Sequence, residues 1–391
     1  MIHNNPTAAY LHIPFCRRRC YYCDFAISVV GDSPLKNDST MVIDYVEHLC
    51  QEIKLTTVKN EPLQTIFFGG GTPSLLPVAK LKLILNTIEK SLGIADNAEI
   101  SLEIDPGTFN YQQLQEYLNL GINRVSLGVQ TFDSELLEIC GRTHNVKDVF
   151  TAINLIQKAN ISNWSLDLIT GLPYQTIEHC QQSLETAMQI APPHLSCYDL
   201  VLEPVTAFGK KYQLGETPLP TDEVTTQMYL LTQQTLTSYG YKHYEISNYA
   251  RLGFQCRHNR VYWENKPYYG FGMSACSYVN HKRFNRPRTR QAYYDWVQKG
   301  AIIDVSPLSN NDYLLETLML GLRLAEGINL AAISQTSGEQ TTANIITCLK
   351  PYLKQNLVAI DNNTTEPRLR LTDPEGFLLS NTILATLFQK L

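Results

Sequence analysis

The sequence predicts an α/β fold: a partial, open (β/α)6 barrel, then an accessory segment that completes its core, then a small C-terminal helical, winged-helix-like domain. Two observations carry this. Six strand-like apolar segments alternate with helical ones in one direction of travel, which calls for parallel βαβ units with right-handed crossovers, too few for a closed eight-stranded barrel. Almost every unusual residue cluster also falls just after a predicted strand, at the C-terminal mouth where barrels of this kind build their sites.

Apolar patterning predicts strands over 8–13, 65–68, 99–104, 124–129, 164–169 and 194–202, with helices over 41–58, 77–92, 111–120, 146–159 and 176–190. The clusters that follow the strands are Cys16, then Gly69-Gly70-Gly71-Thr72, Asp105-Pro106, Gln130, Gly171-Leu172-Pro173 and Glu203-Pro204. From about 221 to 307 the alternation breaks into a helix, aromatic-rich short strands and turns. The tail, 308–391, is helical at first (312–324) and ends in a short strand at 369–372 and another helix. The expected domains are therefore 1–220, 221–307 and 308–391, with no internal repeat.

At 391 residues, 44% of them hydrophobic, the chain can bury a full core without disulfides. A net charge of −5 argues against a protein built to neutralise nucleic-acid phosphates. No apolar run approaches the ~20 residues that span a bilayer, which leaves at most peripheral membrane contact. The first residues lack a basic and an apolar secretory region, so a cytoplasmic location is expected. Of ten cysteines, seven are scattered (Cys50, Cys140, Cys180, Cys197, Cys256, Cys276, Cys348) and read as ordinary buried thiols.

The other three form Cys16-Arg17-Arg18-Arg19-Cys20-Tyr21-Tyr22-Cys23, a C-x3-C-x2-C run directly after a strand. Three thiolates on so short a loop can hold three corners of a [4Fe–4S] cubane and leave one iron open. An open iron suits S-adenosylmethionine (SAM), whose amino and carboxylate groups can chelate it. A zinc site would want a fourth Cys or His, and a redox pair C-x2-C alone. The three arginines either offset the cluster's charge or form a solvated face.

This run, with an aromatic before its third cysteine, resembles the radical SAM superfamily. Tyr10-Leu11-His12-Ile13-Pro14-Phe15-Cys16, Phe68-Gly69-Gly70-Gly71-Thr72-Pro73-Ser74 and Glu103-Ile104-Asp105-Pro106 narrow the resemblance to the oxygen-independent coproporphyrinogen III oxidase-like family. Ser126-Leu127-Gly128-Val129-Gln130, Asp167-Leu168-Ile169-Thr170-Gly171-Leu172-Pro173 and the HemN-type final domain agree. The resemblance implies cluster ligands Cys16, Cys20 and Cys23. It implies SAM contacts from Tyr10, Tyr22, Gly70, Gly71, Thr72, Glu103, Gln130, Arg142 and Asp167. Glycine amides are expected to bond the SAM amino-acid end, Glu103 and Asp167 to accept from ribose hydroxyls or the ammonium, and Arg142 to pair the carboxylate. No catalytic residue is assigned.

Decarboxylases of that family carry a fourth cysteine where this chain has Phe25, and a longer segment before the cluster than the fifteen residues here. Both departures resemble the HemW branch, whose members act as heme chaperones. His258-Asn259-Arg260-Val261-Tyr262-Trp263 matches that branch's HNxxYW motif. His258 is the candidate heme ligand, with Tyr262 and Trp263 stacking on the porphyrin; the alternative is that His258 merely hydrogen-bonds a loop. His12, His243 and His281 are the next candidates. Arg283, Arg286, Arg288 and Arg290 either receive heme propionates or bond the barrel to its accessory segment. The expected function is heme binding and, with cluster and SAM, transfer to an apo-hemoprotein, the respiratory chain being the candidate source of acceptors. Flavodoxin or ferredoxin would be the electron donor. The rivals are radical decarboxylation of coproporphyrinogen III and another radical reaction, such as methylation, on a different tetrapyrrole.

Overall fold

The computed structural model describes residues 5–32, 35–56, 61–361 and 366–391. The chain divides into two compact units, Met1–Thr232 with Pro267–Ser306, and Gln233–Lys266 with Pro307–Leu391. Of the accessory segment expected at 221–307 to complete the barrel's core, residues 221–232 and 267–306 fall in the first unit and the rest in the second.

The first unit is built on seven parallel strands. They are β1 (Ala8–Ile13), β2 (Leu63–Gly70), β3 (Ile94–Ile104), β4 (Arg124–Gln130), β5 (Trp164–Thr170), β6 (His194–Asp199) and β7 (Tyr269–Phe271). Their spatial order is β7-β1-β2-β3-β4-β5-β6. The α/β partial barrel expected from the sequence is therefore present. The seventh strand, too short for periodicity to reveal, comes from the accessory segment and pairs with β1 from Ala9↔Tyr269 to Leu11↔Phe271. Between strands run α1 (Thr40–Leu55), α2 (Val78–Ser91), α3 (Tyr111–Asn119), α4 (Ser134–Ile139), α5 (Val146–Lys158) and α6 (Ile177–Ile190). Reciprocal capping boxes start α3 (Asn110 with Gln113), α5 (Asn145 with Asp148) and α6 (Thr176 with His179), satisfying amides that the first helical turn leaves open. In α1, Val42, Tyr45, Val46, Leu49 and Ile53 form the buried stripe that faces the sheet.

Boundaries differ from expectation where tertiary packing decides them. β6 stops at Asp199 because Leu200 and Leu202 turn to pack on Leu136, Cys140, Ile169, Leu172 and Phe208. The six-residue α4, capped by Asp133, is too short to show a period. The expected end of α1 at Val58 lies outside the described residues.

A buried ion pair ties the accessory segment to α1. The Glu52 carboxylate accepts from Arg286 Nε (2.7 Å), the Gly272 amide (2.9 Å) and the Tyr293 hydroxyl (2.6 Å), with both charged side chains 3% exposed or less. Arg283 donates to Tyr268 (3.1 Å) and Arg288 faces Asp24 at 3.6 Å. Of the two roles open to these arginines, bonding the segment to the barrel is the one seen for Arg286 and Arg288.

The second unit holds a hairpin of strands Lys242–Glu245 and Asn248–Ala250, the helices Arg257–Trp263 and Asn310–Gly321, and a three-stranded sheet. In that sheet Arg368–Leu371 lies between Ile328–Asn329 and Val358–Asp361, with helices Leu330–Ser337, Glu339–Lys354 and Ser380–Lys390. Among the described residues no helix is long and apolar enough to cross a membrane.

Removing one partner of a buried pair leaves the other charge uncompensated, so Arg286→Ala or Glu52→Ala should each lower unfolding stability by about 3–5 kcal/mol. The double apolar variant Glu52→Leu/Arg286→Met should cost less than the sum of the single losses. Denaturant unfolding of the iron-free protein reads this, and an unchanged midpoint for Arg286→Ala would refute it.

Candidate cluster and cofactor site

Immediately after β1, Phe15–Cys16 pairs in parallel with Ser28–Val29, with the Ser28 amide donating to Pro14 at 2.6 Å and the Val30 amide to Cys16 at 2.9 Å. These bonds close residues 17–27 into a loop. Within it the Cys23 amide reaches the Cys20 carbonyl at 3.2 Å. Arg19 donates to the carbonyls of Cys23 (3.1 Å) and Phe25 (2.9 Å), and Arg17 to Gly107 (2.9 Å). The Tyr21 amide bonds the Cys140 carbonyl at 3.0 Å, and Tyr22 packs on the cluster around Phe208.

All three thiols are unpaired and half-buried. Burial pushes the Cys16 thiol up to about 12 and raises that of Cys23. A metal centre reverses such a shift, because coordination deprotonates a thiol outright. Among the described residues no three His, Cys, Asp or Glu side chains converge on a single ion. The donor set is three thiols on one loop, each free to take a separate metal corner, and it fits an iron–sulfur cubane better than one zinc.

Beside the thiols stands Arg142, whose side chain is 8% exposed. It donates to Asp105 Oδ1 (2.5 Å), the Gly128 carbonyl (3.2 Å), Cys20 Sγ (3.4 Å) and the Tyr22 hydroxyl (3.4 Å). Its Nε is buried without a protein partner. Expected to pair a cofactor carboxylate, Arg142 is already paired to Asp105, which also accepts from Thr72 Oγ1 at 3.1 Å. Thr72 Oγ1 lies 3.7 Å from Cys16 Sγ. Asp105 and Gly128 lie inside the strand-end motifs, but nothing in their spacing points to this role. A Cβ on Gly128 would sit 2.6 Å from Asp105 Oδ1, so only glycine leaves room for this pair. Gln130, two residues on, has φ +71° at an irregularity in the β4/β5 pairing, which re-aims its side chain.

The glycine turn also works differently from expectation. The Gly70 amide donates to Glu103 Oε2 (3.0 Å), the Gly71 amide to the Ile13 carbonyl (2.8 Å) and the Thr72 amide to the Phe15 carbonyl (2.7 Å). These donors are spent inside the chain. What glycine provides is close approach: a Cβ on Gly71 would lie 2.8 Å from the Phe15 carbonyl oxygen, and one on Gly70, at φ +111°, 2.5 Å from the His12 ring. Below the turn, burial and the neighbouring Asp167 push the Glu103 carboxyl up to about 8. Asp167, raised by burial, accepts from Ser126 (2.9 and 3.1 Å) and Ser165 (3.0 Å). Tyr10, raised by burial and by Glu103, lies 3.2 Å from His12 Nδ1, and His12 Nε2 donates to the Ala26 carbonyl at 2.7 Å. The structure thus gathers Tyr10, Gly70, Gly71, Thr72, Glu103 and Asp167 around the strand ends beside the cysteine loop.

His258, Tyr262 and Trp263 belong to the second unit. His258 is fully buried, its Nε2 is 2.8 Å from the Tyr262 hydroxyl, and burial lowers its pKa to about 3. An axial ligand must present a ring nitrogen to iron, so the local hydrogen-bonding role is the one this conformation shows. Trp263 lies under the Arg323 guanidinium at 5.9 Å. His243 bonds Asp373 at 2.9 Å and stacks on Tyr249.

Glu103 supplies a pH test. Its folded pKa, about 8, lies above the ordinary 4.5, so between those values the folded state keeps a proton that the unfolded state releases. Its contribution to stability therefore falls as pH rises from about 5 to about 8. Glu103→Gln should flatten that part of the stability profile of the iron-free protein, and a slope equal to wild type would remove the buried-acid assignment.

Residues 10–187 match the radical SAM superfamily and residues 308–379 the HemN C-terminal domain. The heme chaperone HemW of Synechocystis sp. is 52% identical over 99% of this chain and 97% of its own length. That of Bacillus subtilis is 34% identical over 98% and 100%. Among solved structures, the coproporphyrinogen III oxidase HemN of Escherichia coli, described as a radical SAM enzyme, superposes with a TM-score of 0.83 over 99% of this chain and 91% of its own, at 23% identity, which establishes a common fold. With identity that runs the length of both chains, this protein belongs to the HemW family of radical SAM proteins.

Proposed function

We propose that the chain is a cytoplasmic heme chaperone that carries a [4Fe–4S] cluster on Cys16, Cys20 and Cys23, binds SAM at the barrel mouth, and passes heme to an apo-hemoprotein, with respiratory-chain proteins the first acceptors to try. The observation that carries the reading is the three-thiol loop at the barrel mouth of a chain similar over its whole length to heme chaperones. When bound, the cluster supplies an open iron for the amino and carboxylate groups of SAM. The chain's residues do the rest. Gly70 and Gly71 bring backbone carbonyls close to the cysteine loop, where they can accept from an ammonium. Glu103, Asp167, Gln130 and Tyr10 offer polar atoms to a ribose and adenine, Thr72 and Tyr22 flank the thiols, and Arg142 steadies Cys20. Phe25, 59% exposed, stands where the decarboxylases have a further cysteine.

Anaerobically reconstituted protein should hold about four irons and four sulfides per chain. Cys16→Ala, Cys20→Ala or Cys23→Ala should abolish this, while Cys197→Ala should not. With SAM, reductant and coproporphyrinogen III it should form no protoporphyrinogen IX, and the same preparation should bind heme and release it to an apo-hemoprotein. Robust decarboxylation would overturn the chaperone reading.

Heme coordination by His258 requires its bond to Tyr262 to open. Tyr262→Phe should therefore tighten heme binding by about 2–10-fold, the worth of one neutral hydrogen bond. His258→Ala should weaken binding and shift the heme absorption band. Unchanged titrations and spectra for both variants would place the ligand elsewhere.

A further inference from the structure

The chain is acidic overall, yet the outer side of its cysteine loop is not. Residues 16–25 and 203–212 with Arg288 contain six cations (Arg17, Arg18, Arg19, Lys210, Lys211, Arg288) and two acids (Asp24, Glu203), a local excess of four positive charges on a chain of net −5. The segments adjoin: the Phe208 amide donates to the Tyr21 carbonyl at 2.9 Å, and the Phe208 ring lies 6.1 Å from that of Tyr21. Lys211 sits 4.9 Å over the Tyr212 ring and within electrostatic reach of Tyr174 and Tyr21. The arginine run divides its labour. Arg17 and Arg19 staple the loop through backbone carbonyls, whereas Arg18 is exposed and makes no hydrogen bond or ion pair among the described residues. Charge that served only to balance the thiolates would point inward, as Arg142 does. Exposed rings interleave with these cations: Tyr21 is 43% exposed, Phe25 59% and Tyr174 58%.

We propose that this face, centred on Arg18, Lys210, Lys211 and Tyr21, is the docking surface for an acidic one-electron carrier protein. The inference rests on the cluster reading above and adds where the electron enters. Cationic side chains around exposed aromatics suit a transient, electrostatically steered interface, and Arg18 and Tyr21 place part of this face on the loop that carries the thiols. One electron leaves the carrier, a flavin hydroquinone becoming a semiquinone, and the cluster passes from the 2+ to the 1+ state. No bond forms or breaks.

The test uses an acidic flavodoxin as probe and the full chain carrying Arg18→Glu, Lys210→Glu and Lys211→Glu together. Oxidised flavodoxin is titrated calorimetrically into the iron-free protein, and stopped-flow absorbance follows cluster reduction by reduced flavodoxin or by neutral photoreduced deazariboflavin. Wild type should bind flavodoxin and be reduced by it at a rate that falls steeply with added salt. The variant should lose about tenfold or more in both affinity and rate at low salt, with equal reduction by deazariboflavin. Equal flavodoxin affinity and rate in the two proteins would overturn the proposal. So would an equal slowing with both reductants, which would mean an altered cluster. Charge-dependent binding to vesicles containing phosphatidylglycerol without any binding of flavodoxin would also overturn it, in favour of a lipid surface. A wild-type protein that fails to assemble a cluster would strike the cluster reading alone, since flavodoxin binding is read on iron-free protein.

Discussion

The site depends on the placement of one buried cation. Arg142 meets Asp105, the Gly128 carbonyl, Cys20 Sγ and the Tyr22 hydroxyl, and so draws together the cysteine loop after β1 and the ends of β3 and β4. A guanidinium this far from water needs compensation, and Asp105 provides the charge, with the Gly128 carbonyl and Cys20 Sγ as further acceptors. The requirement propagates outward. Gly128 must lack a Cβ for the pair to form, and Asp105 in turn holds the Thr72 hydroxyl beside Cys16. The loop 17–27, which carries Cys20 and Cys23, is otherwise held by its own turns, by the pairing of Phe15–Cys16 with Ser28–Val29, and by bonds to Gly107, Cys140 and Phe208.

Around that core the polar groups of the mouth are stacked in an order that their electrostatics explain. Glu103 and Asp167 share a poorly solvated space, and Asp167 is the one supplied with hydroxyl donors, from Ser126 and Ser165. Glu103 receives a single amide, that of Gly70, and carries the larger burden of burial and like charge. Burial thus pushes both carboxyls up, Glu103 to about 8, and a cationic ligand placed beside them would draw both back down.

What was legible in the sequence is what is local in the chain. The βα alternation, the C-x3-C-x2-C loop and the strand-end clusters are each encoded within a few residues, and the structure places them where the pattern implied. The unread parts are contacts between distant residues. Nothing near Asp105 announces Arg142, and nothing near Glu52 announces Arg286, 234 positions away. The same limit applies to donors already in use: a glycine-rich turn shows that backbone comes close to something, and only the fold reveals that this includes Ile13 and Phe15. His258 shows the converse, a residue type suited to a heme ligand whose burial and bond to Tyr262 no motif could state.

The proposed function requires that the three cysteines leave one iron of the cluster open and that SAM take it. Electron paramagnetic resonance of the anaerobically reduced protein, recorded with and without SAM, tests this most directly. The expected result is a spin-half signal from a reduced [4Fe–4S] cluster whose g-values shift when SAM is added, with the shift lost in Gly71→Val, where the added side chain would press on the Phe15 carbonyl. Superimposable spectra at saturating SAM would contradict it.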